Sequence, residues 1–257
     1  MDVSDVLKKM AEGFFKKLDA GGLNKAGKEL VKRACCFAAN AHAGQERFSG
    51  EDFIFHAVAV AELLLAIRQS AVVIAAGILH DTVEDTAVAL ENIEEDFGPE
   101  VAFLVDGMTR AFGPDDIEGI EKVFGPQVAF ATREILGATA ETSLPLVERD
   151  IIYQAKLFVM AVEDHRLVLI RLADRVHNLR TLKFLPLAKQ KSVAKETLEL
   201  HLPLANIFLS SEELRLIKPW LEEMKKISLV HLKTVSQSVS RGKTVMALSL
   251  LTVAKAT

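Results

Sequence analysis

The sequence predicts an all-α protein. Three observations point there: apolar residues recur at three- and four-residue steps, Gly (14) and Pro (7) are sparse among 257 residues, and no alternating stretch is long enough for a sheet. At the N-terminus Leu7, Met10, Phe14 and Leu18 line one face of an amphipathic helix, read as docking on the main body rather than anchoring in a membrane. Between Asp52 and Arg68 the stripe is Phe53, Ala57, Val60, Ala61 and Leu64, with Ser49 or Asp52 placed to cap its start. The next helix is expected over about 69–83. Its centre, AVVIAAGIL, is apolar all round and so belongs at the middle of the domain. Thr86 is the expected N-cap of a third helix, Gly98 its stop, and Pro99 the opening of a fourth. LVLIRLADRV has the composition of a strand, but it continues to Leu185 without Gly or Pro and stops at Pro186, which favours a helix.

Two further stretches bear on organisation. Residues 93–103 (IEEDFGPEVAF) are echoed at 120–130 (IEKVFGPQVAF), with another FGP at 112–114. The echo reads either as a duplicated helical hairpin with a role in lidding or assembly, or as a local duplication that lengthens a connection. The last 30 or so residues turn polar and β-branched, then apolar. Gly242-Lys243-Thr244 does not make a phosphate loop, because the first glycine of that motif would fall on Gln237. The tail is expected to pack on the body or on a second subunit, which leaves room for a homo-oligomer.

Composition excludes several classes. With 50% hydrophobic and 26% charged residues the chain is not disordered, and a net charge of −4 argues against a broad basic surface for nucleic acid. The longest charge-free apolar stretches, 71–79 and 244–254, fall short of the roughly 20 residues of a spanning helix. Cys35 and Cys36 are neighbours, a poor geometry for a bridge, and suit a reducing compartment, so a cytoplasmic location is expected.

The chemistry concentrates at His80-Asp81-Thr82-Val83-Glu84-Asp85, at the end of the buried helix. An adjacent His and Asp can turn toward one metal, and the nitrogen–oxygen donor set suits Mn²⁺, Fe²⁺ or Zn²⁺ better than Ca²⁺. If the helix continues one turn, Glu84 follows His80 and Asp85 follows Asp81 at four-residue spacing, where carboxylates can hold a water or take its proton. His56, in the apolar run FIFHAVAV, would meet the pair if the two helices are antiparallel neighbours. Asp174 follows LVLI and shares a face with Asn178 and Thr181; on spacing alone it could serve a metal or pair with Arg171 or Arg175.

The pattern His56 … His80-Asp81 … Asp174 resembles the ligand set of the HD superfamily of metal-dependent phosphohydrolases. AHAGQERFSGEDFIFH, AAGILHDTVEDT, FGPEVAFLVDGMTR, LVLIRLADRVHNLRTL and KETLELHLPLAN are similar to the hydrolase domain of RelA/SpoT homologues. Those remove the 3′-pyrophosphate of (p)ppGpp, giving GDP or GTP. The resemblance covers roughly residues 25–207. It implies an HD-domain helical bundle with extra helices at both termini and an inserted helical hairpin. The corresponding division is a docking helix (1–24), the HD domain (25–207, inserted at about 111–146) and a C-terminal helical extension (208–257). It further implies Mn²⁺ held by His56, His80, Asp81 and Asp174, and a water oriented and activated by Glu84 and Asp85. Arg47 would pack on the nucleotide, with Ser49, Asn178 and Thr181 around ribose and phosphates. His42, His165, His177, His201 and His231 are left as structural, His177 being the one beside a site residue.

The chain departs from the family's pattern at three places. Phe48 stands where Lys is usual, and Asp52 and Ala57 stand where Pro is usual. Loss of a cation beside a polyphosphate would weaken binding or change which nucleotide is accepted. No synthetase domain is expected after residue 207, so a stand-alone small alarmone hydrolase is implied. The alternatives are hydrolysis of another nucleotide, such as an adenine alarmone or NADPH, and a catalytically idle alarmone-binding module.

Overall fold

The computed structural model describes residues 3–109, 157, 160–162 and 164–233. The described residues are helical and contain no strand, only an isolated antiparallel bridge between Glu46 and Asp52. The chain divides into two compact units, residues 1–110 with 164–232, and residues 111–163 with 233–257. Of the second unit only Leu157, Met160, Ala161, Val162 and Lys233 are described, and all are helical. The expected insertion at 111–146, the later copies of the FGP echo, Gly242-Lys243-Thr244 and the apolar tail lie outside the described residues.

The first unit begins with two helices where the sequence suggests one. α1 (Val3–Glu12) and α2 (Phe14–Ala20) are separated at Gly13. Val6, Met10, Phe14 and Leu18 are buried while Leu7 is only half-buried, so the apolar face is shifted by one residue at its start. α1 packs on α3 (Lys25–Ala41), and α2 packs on α3 and on α4 (Ile54–Ala66).

α5 (Ala71–Leu79) is the hub, packed against α3, α4, α8 and α9. Val73, Ile74, Ala75, Ala76, Ile78 and Leu79 are at most 1% exposed, as an all-round apolar helix requires. Each fully buried Val, Ile or Leu contributes roughly 1.5–3 kcal/mol of transfer free energy. Ser70 caps the helix through its hydroxyl, which accepts from the Val73 amide. Gly77 lets α4 approach closely: a Cβ there would lie 2.5 Å from Leu64 Cδ1.

The expected helix over 69–83 ends at Leu79. Two turn residues, His80 and Asp81, lead into the short α6 (Thr82–Asp85), and the Asp85 amide still bonds the Asp81 carbonyl at 2.8 Å. Thr86 is not the N-cap of the next helix. Its hydroxyl donates to the Thr82 carbonyl and accepts from the Val88 amide, which closes α6 and turns the chain. α7 (Leu90–Phe97) starts after Ala89, ends at Gly98 with φ of 87°, and Pro99 opens α8 (Pro99–Thr109). This first copy of the repeat therefore forms the helix–stop–helix junction that its Gly-Pro pair predicts.

α9 (His165–Arg180) is the helix expected from LVLIRLADRV. It ends earlier than Leu185, passing into a 3₁₀ turn (Leu182–Phe184) before Pro186 leads into α10 (Leu187–Glu196). A π-helical turn (Thr197–His201) joins α10 to α11 (Leu202–Phe208), and α12 (Ser211–Lys233) follows. α12 buries Ile217, Trp220 and Met224, and Arg180 of α9 grips its Glu223 with two hydrogen bonds of 2.7 and 2.8 Å. Where the chain leaves the first unit after α8 and returns at α9, the two ends are pinned. Arg171 donates to the Met108 carbonyl at 2.9 Å, and Gly107 lies under Leu167, where a Cβ would come within 2.8 Å of Cδ1.

Candidate metal centre

Three helices converge on one buried point. His56 comes from the first turn of α4, His80 from the end of α5 with Asp81 beside it, and Asp174 from the middle of α9. α4 and α9 both pack on α5, which brings residues more than a hundred positions apart together. His56 and His80 are 1–2% exposed and Asp174 is 7% exposed. Donor atoms of His56, His80 and Asp174 lie within 4.8 Å of one another. Asp81 joins them from the side, its Oδ1 3.1 Å from His80 Nε2 and its Oδ2 3.5 Å from His56 Nε2. His56 Nε2 is 3.3 Å from Asp174 Oδ1, and His80 Nε2 is 3.8 Å from the same oxygen.

The imidazoles are aimed by their far sides. His80 Nδ1 donates to the Gly77 carbonyl at 2.9 Å, so its Nε2 is the atom turned to the carboxylates. That Nε2 is buried and has no hydrogen bond of acceptable alignment. Burial opposes a charge on His80, yet Asp81 and then Asp174 hold its pKa up at about 10. Burial would raise Asp81 and Asp174, but His80 and His56 drive both carboxyls below their ordinary range. The pocket thus favours positive charge at its centre. Two imidazole nitrogens with two carboxylates form a donor set that fits a divalent transition metal, and the unpartnered Nε2 is the atom such an ion would satisfy.

Arg171 and Arg175, the alternative partners of Asp174, point elsewhere. Arg171 serves Met108, while Arg175 donates to Glu196 at 2.7 Å and meets His201 Nε2 at 3.1 Å. Asp174 instead accepts a 2.6 Å hydrogen bond from Asn178 Nδ2.

Residues 34–207 match the HD domain family. The chain belongs to the HD-domain family. Among relatives of this HD domain, a Synechocystis protein named probable guanosine-3′,5′-bis(diphosphate) 3′-pyrophosphohydrolase is 38% identical over 177 residues, 69% of this chain and 20% of its own length. A Mycobacterium leprae protein named probable GTP pyrophosphokinase is 37% identical over 182 residues, 71% of this chain and 19% of its own. The chain therefore spans about a fifth of these curated relatives. A solved structure described as a metazoan orthologue of SpoT that hydrolyses ppGpp overlays with a TM-score of 0.49 at 22% identity, covering 77% of this chain and 94% of that one.

Around the centre of the HD domain, the loop before α4 forms a tight hairpin. The Gly50 amide bonds the Arg47 carbonyl, the Arg47 amide bonds Glu51, and Gly50 takes φ of 78°, where a side chain would be strained. Neither Ser49 nor Asp52 caps α4; the N-cap position is Phe53 and carries no side-chain cap bond. The hairpin sets Arg47 over the Phe53 ring and sends its Nη2 to Asn178 Oδ1 at 2.6 Å. Ser49 Oγ is buried without a hydrogen-bond partner, and Phe48 is 81% exposed. Thr181 turns its hydroxyl back to the His177 and Asn178 carbonyls. Glu84 and Asp85 are exposed on α6. Burial and the Asp81 carboxylate push the pKa of Asp85 up, with His42, His80 and Arg47 pulling the other way.

Two histidines set aside as structural belong to the surroundings of the site. His42 stacks on Phe53 with ring centroids 4.6 Å apart and bonds Gln45, whose Nε2 donates to the Asp85 carbonyl at 2.9 Å. His177 Nδ1 lies 2.8 Å from His56 Nδ1. Helical spacing held the signal for the second: His177 follows Asp174 by three residues and so shares the face of Asp174, Asn178 and Thr181.

Proposed function

We propose that this HD domain hydrolyses the 3′-pyrophosphate of (p)ppGpp, releasing pyrophosphate and GDP or GTP, with Mn²⁺ held by His56, His80, Asp81 and Asp174. The observation that carries the reading is the convergence of two imidazoles and two carboxylates in a buried pocket beside Glu84 and Asp85. The names of the curated relatives include both synthesis and hydrolysis of the nucleotide. The histidine–carboxylate centre favours hydrolysis, because it is suited to activating water.

In this reading a bound divalent cation supplies the positive charge that lowers the pKa of water and draws electron density from the phosphoryl oxygen. Glu84 orients the water and Asp85 takes its proton, a role favoured by a carboxyl with a raised pKa. The water oxygen adds to the phosphorus attached to the ribose 3′ oxygen. The bond between that phosphorus and the 3′ oxygen breaks, and the 3′ oxygen takes a proton from solvent. Arg47 packs on the nucleotide, while Ser49, Asn178 and Thr181 offer polar contacts to ribose and phosphate.

The test is to incubate Mn²⁺-loaded protein with ppGpp and quantify GDP and pyrophosphate. Turnover is expected in the parent and none in Asp81→Ala; intact ppGpp beside a control enzyme that cleaves it overturns the reading. A second reading, hydrolysis of a different phosphorylated nucleotide, is favoured by Phe48, an exposed aromatic ring at the position of an expected cation. Rates of the parent and of Phe48→Lys across guanine and adenine alarmones and NADPH separate the two, since only a change in nucleotide preference supports the second.

A further inference from the structure

The two histidines of the centre are oriented by different kinds of partner. His80 Nδ1 faces the Gly77 carbonyl, which can only accept, so the proton of that ring stays on Nδ1. His56 Nδ1 faces another imidazole nitrogen, His177 Nδ1, at 2.8 Å. One proton lies between those two nitrogens, and either ring could carry it. If His177 donates, His56 holds its proton on Nε2. That atom lies 3.3 Å from Asp174 and 3.5 Å from Asp81, and it would hydrogen-bond the carboxylates without a lone pair to offer a metal. If His56 donates, its Nε2 lone pair points into the centre.

We infer that His177 is a positioning residue for metal binding: its Nδ1 accepts the proton of His56 Nδ1 and so fixes the tautomer in which His56 can coordinate. The inference rests on the metal-site reading above. α9 then contributes twice, presenting Asp174 directly and orienting His56 through a residue one turn further on. His177 is 9% exposed and sits with its ring centroid 4.8 Å from that of His56, so water has little room to replace it. Partners that orient metal-bound histidines are commonly carboxylates or backbone carbonyls, neither of which can reverse the bond; an imidazole in that position can.

Two substitutions separate shape from hydrogen bonding. His177→Phe keeps a flat ring and removes the acceptor. His177→Asn places Oδ1 close to the former Nδ1 and restores one. Chelator-treated proteins are titrated with Mn²⁺ against a fluorescent chelator, with circular dichroism and melting of the metal-free forms alongside. His177→Phe is expected to weaken Mn²⁺ binding by about 10–100-fold while His177→Asn stays close to the parent. Parent-like affinity in His177→Phe, or equal losses in both variants, overturns the relay while leaving the metal site intact. A parent that takes up no Mn²⁺ overturns both. Should His177→Phe fail to fold, ring ¹⁵N NMR of the Zn²⁺-loaded parent decides: His56 protonated at Nδ1 supports the relay, and His56 unprotonated at Nδ1 overturns it.

Discussion

Asn178 shows how much one side chain can link. Its amide has one orientation that satisfies both neighbours: Oδ1 accepts from Arg47 and Nδ2 donates to Asp174, each at 2.6 Å. In the proposed function, the arginine that meets the nucleotide is thereby tied to a carboxylate that would hold the metal. Hydrogen bonds to charged groups contribute about 1.5–3 kcal/mol, so Asn178→Ala is expected to weaken nucleotide binding by about tenfold or more. It should also weaken Mn²⁺ binding, and each ligand should lose part of its effect on the affinity for the other. Calorimetric titration of each ligand with and without the other checks this; undiminished coupling in the variant would show that the link runs elsewhere. At this scale the sequence was informative where chemistry is written in neighbours, as in His80-Asp81. It was silent on the pairing of His177 with His56, because that contact depends on how α9 is rotated against α4.

Helix boundaries divide into those set by composition and those set by geometry. Gly98 ends α7 by taking a positive φ that a side chain would disfavour, and Pro99 has its φ preset for the first turn of α8, so both were legible beforehand. The start of α4 was not, since the hairpin at Arg47–Gly50 delivers the chain at an angle that uses neither candidate cap. The split at Gly13 and the stop at Leu79 were equally hidden, each lying inside an unbroken helical pattern. The start of α9 rests on an identifiable cap. Asp164 accepts from the Arg166 amide and from its guanidinium, which outweigh burial and hold the Asp164 carboxyl below its usual range. A carboxyl with a depressed folded pKa contributes stability above its unfolded value and loses it as pH falls through the folded one. Asp164→Ala should therefore cost about 1 kcal/mol near neutrality. The gap from the parent should narrow once pH drops below the usual aspartate value of 3.8. Urea midpoints measured across that range test the assignment; a gap independent of pH would mean that the cap does not act through its charge.

Over the whole molecule, the centre joins helices that the chain visits early and late. A metal that binds only the folded protein stabilises it by mass action, by about 2.7 kcal/mol at a hundredfold excess over Kd. For a chain of this size that corresponds to a rise in Tm of about 5–10 °C. Melting in the presence of Mn²⁺ and after chelation should differ by that much, and the difference should vanish in His80→Ala. The general architecture was legible because all-round apolar character marks α5 as the hub and a helical stripe marks α4. The arrival of α9 beside them was carried by the resemblance alone, which sets Asp174 with His56 and His80, for no local pattern specifies a partner so distant in the chain.

The clamped junction between α8 and α9 carries a consequence for how this protein can change over generations. Arg171 on Met108 and Leu167 over Gly107 hold both banks of the gap in place. Polymer length between two fixed points enters free energy only logarithmically, about 0.6 kcal/mol for each doubling. A flexible insertion between the banks would therefore cost little, and Asp174 would still arrive opposite His56 and His80. Growth of the chain and upkeep of its chemistry are, at that one location, independent of each other.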